Sequence, residues 1–226
     1  KGYWGGLKRA PAEWYAERLR DCGLRRDDAI VVYADGPGSR GREGRIAWML
    51  LYLGAPSVML LDGGWNAWLE LGGDVEKEPT TLGSGDFRVS FQAHRRCSVT
   101  QLADEWMSPA RPQLVDTRSV AEFAGEVQPY LPRRGHLPGA VLVSFSSLFD
   151  AGGRFIDRET YLTLLPAAAR RPDNIVAFCE VGVRASLFAL LHEMYAGSVV
   201  RVCDGSLIEW GLASGLPLET DTPLTA

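Results

Sequence analysis

Short apolar runs alternate with segments of helical periodicity along the chain. Residues 30–33 (Ile-Val-Val-Tyr) and 175–178 (Ile-Val-Ala-Phe) are uninterrupted apolar runs, which predicts strands that are buried on both faces. A helical pattern precedes each run, over residues 11–20 and 157–169, and another follows the second run over residues 185–194. The order helix, strand, loop, helix, strand, helix indicates an α/β layered fold with a largely parallel sheet.

This order of elements occurs twice, which indicates a tandem repeat. Residues 25–34 align with residues 170–179 without a gap, and Ala34 then lies opposite Cys179. Downstream, the Asp-Gly turn at residues 62–65 matches the one at residues 204–207, with a slightly longer loop region in the first copy.

The two copies differ in what precedes them. Before the second copy, residues 100–107 predict a helix and residues 113–115 a strand, whereas few residues precede the first copy. We therefore predict a domain over 1–76 that lacks its amino-terminal half, a linker over 77–96 and a complete domain over 97–226. A further upstream segment or a second chain is expected to complete the first domain.

Composition and charge exclude several function classes. The chain has 226 residues, of which 46% are hydrophobic and 23% charged, as in ordinary globular proteins. A net charge of −4 without a long basic run gives no indication of nucleic-acid binding, and no apolar stretch is long enough to predict a membrane span. No cysteine or histidine cluster has metal-ligand spacing, so no metal is expected. The sequence leaves the compartment open.

Of the four cysteines, Cys179 has the most informative surroundings. We interpret Cys22, Cys97 and Cys203 as small buried apolar side chains. Cys179 directly follows a predicted strand and precedes a predicted helix, where backbone N–H groups and the helix N-terminus favour a thiolate. The alternative, a cysteine that only packs, is weakened by Ala34, because the fold tolerates another residue at the matching position.

Four motifs in the second copy resemble those of the rhodanese (thiosulfate sulfurtransferase) family in its tandem-domain form. They are Leu-Val-Asp-Thr-Arg at 114–118 followed by Glu-Phe at 122–123, Arg-Gly-His-Leu-Pro-Gly-Ala at 134–140, the loop 179–184, and Asp-Gly-Ser at 204–206 with Trp210. The first copy resembles the family over 11–76. The resemblance implies a rhodanese-like α/β/α sandwich with a mainly parallel central sheet and an inactive first domain, since Ala34 replaces the cysteine.

The resemblance also implies a reaction. The Cys179 thiolate would take the outer sulfur of a small anionic donor such as thiosulfate, and cyanide or a thiol would accept it, without a cofactor. The residues expected to bind substrate are Glu180, Val181, Gly182, Val183, Arg184 and Arg118. For Arg118, a buried pair with Asp116 is an equally weighted alternative. His136, in a Gly/Pro turn, is interpreted as structural.

Departures from the family pattern bear on the substrate. Glu122 stands where members that use mercaptopyruvate carry an arginine, which favours thiosulfate as donor. Glu180 stands where the best-known thiosulfate enzymes have a basic residue, so a low-turnover sulfur-relay or persulfide-binding module remains an alternative. Phosphatases of the same fold need five residues between cysteine and arginine, and only four separate Cys179 from Arg184.

Overall fold

The computed structural model describes residues 7, 10–78, 80–109, 111–127, 131–170 and 174–221. Pro79 of the predicted linker, residues 171–173 of the repeat, and residues 1–6 and 222–226 at the ends of the predicted domains lie outside the described residues. Within the described part, no helix is both long enough and apolar enough to cross a membrane.

The strands form two sheets in which every pairing between strands is parallel. The strands are β1 (Ile30–Val32), β2 (Val58–Leu60), β3 (Arg96–Cys97), β4 (Gln113–Asp116), β5 (Val141–Leu142), β6 (Ile175–Phe178) and β7 (Arg201–Cys203). β1 pairs with β2, and the remaining strands form one five-stranded sheet in the order β3-β7-β6-β4-β5. The predicted α/β fold with a parallel central sheet is confirmed.

Helices cover these sheets. The α-helices are α1 (Ala12–Asp21), α2 (Arg42–Tyr52), α3 (Gly64–Glu70), α4 (Val99–Trp106), α5 (Val120–Ala124), α6 (Arg158–Leu164), α7 (Val183–Ala196) and α8 (Ser206–Leu212). Short 3-10 helices cover Gly36–Ser39, Ala93–Arg95, Phe145–Leu148 and Ala167–Arg170. Capping boxes begin α4 at Ser98 and α5 at Ser119, because each serine side chain accepts the N–H three residues on.

Two predictions about individual elements are wrong. β6 is buried throughout, but the first-copy run is not, since Val31 is 52% and Tyr33 56% exposed. Val31 pairs in register with Met59, which is also exposed, so one face of this two-stranded sheet has no helix over it. The predicted helix over 157–169 ends at Leu164, because the residue before Pro166 is forced into an extended conformation.

The two repeats share a core. Helix α2 packs against α7 so closely that a Cβ on Gly44 would lie 2.6 Å from the Cβ of Leu187. Trp48 of α2 belongs to the same buried cluster as Leu187 and the residues of β6. The predicted linker also packs on the first repeat, through Phe87, which is 1% exposed. The contact between α2 and α7 brings the loop that precedes α2, in the first repeat, beside the loop that precedes α7, in the second repeat.

Candidate active site

Cys179 lies at the carboxyl end of β6, where open parallel sheets form their binding sites. Its side chain is buried, and the backbone N–H of Gly182 donates to its Sγ at 3.1 Å. Gly182 is the N-cap of α7 and has a φ of 80°, which favours glycine. The sulfur therefore lies in a tight loop at a helix N-terminus, an environment that stabilises negative charge.

The segment after β7 holds this loop in place. The hydroxyl of Ser206 accepts the N–H of Cys179 at 3.2 Å and donates to the carbonyl of Cys203 at 2.7 Å. The N–H groups of Leu207 and Ile208 donate to the carbonyls of Cys179 and Glu180 at 3.2 and 3.0 Å. Sequence analysis gave this segment only as a motif of the resemblance and did not predict that Ser206 holds the backbone of Cys179.

Asp204 connects the loop to the first repeat. Its carbonyl oxygen would lie 3.0 Å from a Cβ on Gly182, so the two backbones are in close contact. Its buried carboxylate accepts hydrogen bonds from Arg45 of α2 and, at 2.9 Å, from Arg96 of β3. Arg45 also lies 3.5 Å from the hydroxyl of Ser186 in α7.

Arg184 is held by a carboxylate of its own repeat. Its two terminal nitrogens each donate to one oxygen of Glu122, at 2.8 Å. Burial opposes the charge on Glu122, but the hydrogen bonds from Arg184 and Ser119 outweigh it and lower the pKa of Glu122 to about 2. The charge of Arg184 is thus paired with that of Glu122, and its predicted role in substrate binding stays a prediction. Burial raises the pKa of Glu180, whose carboxylate lies 3.8 Å from Arg184.

Arg118 and Asp116 form a fully buried ion pair. The Arg118 Nη2 donates to Asp116 Oδ2 at 2.7 Å and to the carbonyl of Gly135 at 2.8 Å, and Nε donates to both carboxylate oxygens at 3.0 Å. His136 also contacts other residues of the protein: its Nδ1 lies 2.7 Å from the carbonyl oxygen of Phe123, and its ring stacks on the Phe123 ring. The substrate role predicted for Arg118 stays a prediction.

Cys179 opens into a cleft of about 1290 Å³ between the two repeats. The second repeat contributes Cys179, Glu180, Val181, Val183, Arg184, Ser119, Glu122, Val127, Phe145, Ser146, Phe149 and Asp150. The first repeat contributes the loop residues Pro37, Gly38, Ser39, Arg40 and Arg42. Sequence analysis missed these loop residues, and the longer loop region of the first copy was the signal that could have found them.

The other cysteines differ from Cys179 in their surroundings. Burial raises the pKa of Cys97 to about 11 and raises that of Cys203 as well, so both thiols stay protonated at neutral pH. The prediction of a buried side chain is wrong for Cys22, which follows the last residue of α1 and is exposed, outside the cleft. Among the described residues, Cys179 alone combines a thiol with access to the cleft. In the part of the chain that the structure describes, no group of three His, Cys, Asp or Glu side chains is placed to hold a metal ion.

The model of the rhodanese-like domain matches residues 6–71 and 99–213 of this chain. The match covers both repeats and most of the sequence, so the chain belongs to the rhodanese family.

Curated relatives agree with this family. A protein of Pseudomonas aeruginosa named "Probable 3-mercaptopyruvate sulfurtransferase" is 38% identical over 199 residues, which cover 83% of this chain and 69% of the relative. A thiosulfate sulfurtransferase of Corynebacterium glutamicum is 30% identical over 222 residues, 92% of this chain and 71% of the relative. These relatives are sulfurtransferases, which supports a transferase activity for this chain.

Solved structures show the same fold. An anaerobic ergothioneine biosynthesis enzyme from Chlorobium limicola superposes with a TM-score of 0.82 at 22% identity, over 95% of this chain and 56% of the other. The protein YnjE gives a TM-score of 0.83 at 23% identity, over 94% of this chain and 54% of the other. The chain therefore spans just over half the length of these structures.

Proposed function

We propose that this protein is a sulfurtransferase that moves a sulfane sulfur from a small anionic donor, thiosulfate in the first place, to cyanide or a thiol. The observation that supports this most is the position of Cys179. Its sulfur accepts the Gly182 N–H at 3.1 Å, follows the buried strand β6 and opens into the cleft. An activated thiol with room beside it for a small molecule is what covalent sulfur transfer needs.

The proposed reaction has two steps. The Cys179 thiolate attacks the outer sulfur of thiosulfate, a new S–S bond forms, and the old S–S bond breaks with its electron pair leaving on sulfite. The product is a persulfide on Cys179. Cyanide or a thiolate then attacks the terminal sulfur, and the electron pair of the cleaved bond returns to Cys179 as a thiolate.

The loop suits the anionic sulfur that both steps develop. The backbone N–H groups of Glu180 and Val181 donate to no acceptor in the described part of the chain, so they are available to a persulfide. Such fixed donors stabilise developing charge without reorganisation. The loop suits phosphate chemistry less well, because only four residues separate Cys179 from Arg184 and because Arg184 is paired with Glu122.

A second candidate donor is 3-mercaptopyruvate. A relative 38% identical to this chain carries that substrate in its name. Thiosulfate comes first because Glu122, whose carboxylate accepts one hydrogen bond from each terminal nitrogen of Arg184, stands at the position where members of the family that use mercaptopyruvate carry an arginine.

Steady-state assays of the wild type and Cys179→Ser test the proposal. Thiosulfate with cyanide should release sulfite and thiocyanate in equal amounts, faster than mercaptopyruvate releases pyruvate. A larger kcat/KM for mercaptopyruvate would transfer the assignment to the second donor. A persulfide that forms without turnover would identify a sulfur-relay module, and phosphoester hydrolysis without sulfite release would overturn the assignment.

A further inference from the structure

The anionic end of a sulfur donor needs a cation in the cleft, and the arginines of the second repeat are already matched. Arg184 donates both terminal nitrogens to Glu122. Arg118 is buried against Asp116 and the carbonyl of Gly135. A donor anion could reach Arg118 only by displacing a buried carboxylate, which is costly, and at Arg184 it would meet a guanidinium whose charge is already paired with Glu122.

The opposite wall of the cleft carries two arginines from the first repeat. Arg40 and Arg42 both line the cleft and both are exposed. The side chain of Arg40 has no hydrogen-bond or ion-pair partner in the described part of the chain. Arg42 has Asp35 at 3.8 Å, with both side chains more than half exposed, which is a weak pair. Their donors are therefore available to a bound anion.

The fold holds this loop against the nucleophile loop. Gly41 has a φ of 87°, and a Cβ there would lie 3.1 Å from the Phe145 ring and 3.4 Å from the Cα of Arg184. The Gly41 N–H donates to the buried Ser39 hydroxyl at 3.0 Å, and that hydroxyl donates to the buried Glu43 carboxylate. These contacts fix the backbone on both sides of Arg40, which leaves its side chain at the cleft.

The backbone of Arg40 is itself unusual. Its φ of 57° lies in the left-handed region, which residues with a Cβ rarely adopt. Residues held in such conformations cluster at binding and catalytic sites, because the surrounding structure must maintain them. The charge of Arg40 also reaches the nucleophile loop, since it acts to lower the pKa of Glu180 against the effect of burial.

We propose that Arg40 and Arg42 bind the anionic group of the sulfur donor, so that the first repeat, which has Ala34 at the position matching Cys179, supplies the anion-binding wall for Cys179 of the second repeat. This rests on the proposed sulfurtransferase function. The two arginines act as specificity-determining residues for small anionic donors: they attract the oxyanion end, and the outer sulfur is presented to Cys179. Arg40 also offsets the negative charge that Glu180 puts beside the nucleophile.

The test compares two alkylating reagents of similar size, iodoacetate and iodoacetamide, of which only the first is anionic. The rate of alkylation at Cys179 is followed by peptide mass mapping, which separates it from the exposed Cys22, in the wild type, Arg40→Gln, Arg42→Gln and the double variant. Arg26→Gln is the matched control, because it removes the same charge from an exposed site that precedes β1.

We expect each single variant to lower the iodoacetate-to-iodoacetamide rate ratio roughly fivefold and the double variant on the order of 20-fold, the upper range for exposed charge pairs. Arg26→Gln should match the wild type. With thiosulfate, the same variants should raise KM by similar factors and leave kcat within about twofold.

A double variant with the wild-type rate ratio would overturn the proposal. Equal slowing by both reagents would also overturn it, because it would mean that the variants disturb Cys179 and not anion binding. The alkylation ratio needs no turnover. A protein that transfers no sulfur from any donor would therefore refute the proposed function and still give a result on Arg40 and Arg42.

Discussion

The tight contact at Gly182 gives a sharp prediction for Gly182→Ala. Gly182 has a φ of 80°, and an added Cβ would lie 3.0 Å from the backbone oxygen of Asp204. Gly197 is the matched control, because it ends the same helix with a φ of 77° and has nothing within 4 Å of the Cβ position. Both substitutions introduce the same left-handed strain, and only the first adds the collision.

The expected losses of stability follow from these two costs. Left-handed backbone strain costs about 1–2 kcal/mol, which is the whole effect at Gly197. At Gly182, forcing a methyl group into a packed site adds about 1–3 kcal/mol. Asp204 cannot yield easily, because its carboxylate is bound to Arg45 and Arg96. We therefore expect Gly182→Ala to lower the free energy of unfolding by about 2–5 kcal/mol and Gly197→Ala by about 1–2 kcal/mol.

Urea unfolding followed by fluorescence measures both values. The Gly182 variant should also alkylate Cys179 with iodoacetamide roughly tenfold more slowly, because its displaced N–H no longer supports the sulfur. Equal losses of stability in the two variants would refute the packing argument. Unchanged alkylation at Cys179 would refute the role given to the Gly182 N–H.

Three further predictions concern charged and titratable groups. Asp204→Asn should lower the free energy of unfolding by about 3–5 kcal/mol, because it leaves the largely buried Arg45 without its carboxylate; urea titration measures this. The folded-state pKa of Glu122 is about 2, which is below its unfolded value. The stability that Glu122 contributes is therefore present above pH 4.5 and is lost as the pH falls toward about 2. In Glu122→Gln, the free energy of unfolding should change less over this pH range. Burial lowers the pKa of His192 from its usual 6.5 to about 4, so the unfolded state binds a proton first and stability should fall between about pH 6.5 and 4 in the wild type. His192→Asn should lose this fall in stability; a variant with the same pH–stability curve as the wild type would contradict the assignment.

The sequence predicted the strand, loop and helix around Cys179 because the signals for these elements are local. An apolar run followed by Cys179, a glycine and a helical pattern defines strand, loop and helix without knowledge of distant residues. The structure has β6 and α7 in that order, with Gly182 at the helix N-cap.

What the sequence could not predict depends on contacts between distant segments. The exposure of Val31 follows from which elements cover a two-stranded sheet, and local hydrophobicity carries no such information. The Glu122–Arg184 pair joins residues far apart in the chain, so Arg184 could be predicted to orient the loop or hold an anion, without a choice between them. Arg40 reaches the site only because α2 packs on α7.

The most direct test of the central claim is the mass of the protein after incubation with thiosulfate. The wild type should gain one sulfur atom, located on the peptide that contains Cys179, and cyanide should remove it as one equivalent of thiocyanate. Cys179→Ser should gain nothing. A sulfur on another cysteine, or no gain in the wild type with either thiosulfate or 3-mercaptopyruvate, would contradict the account.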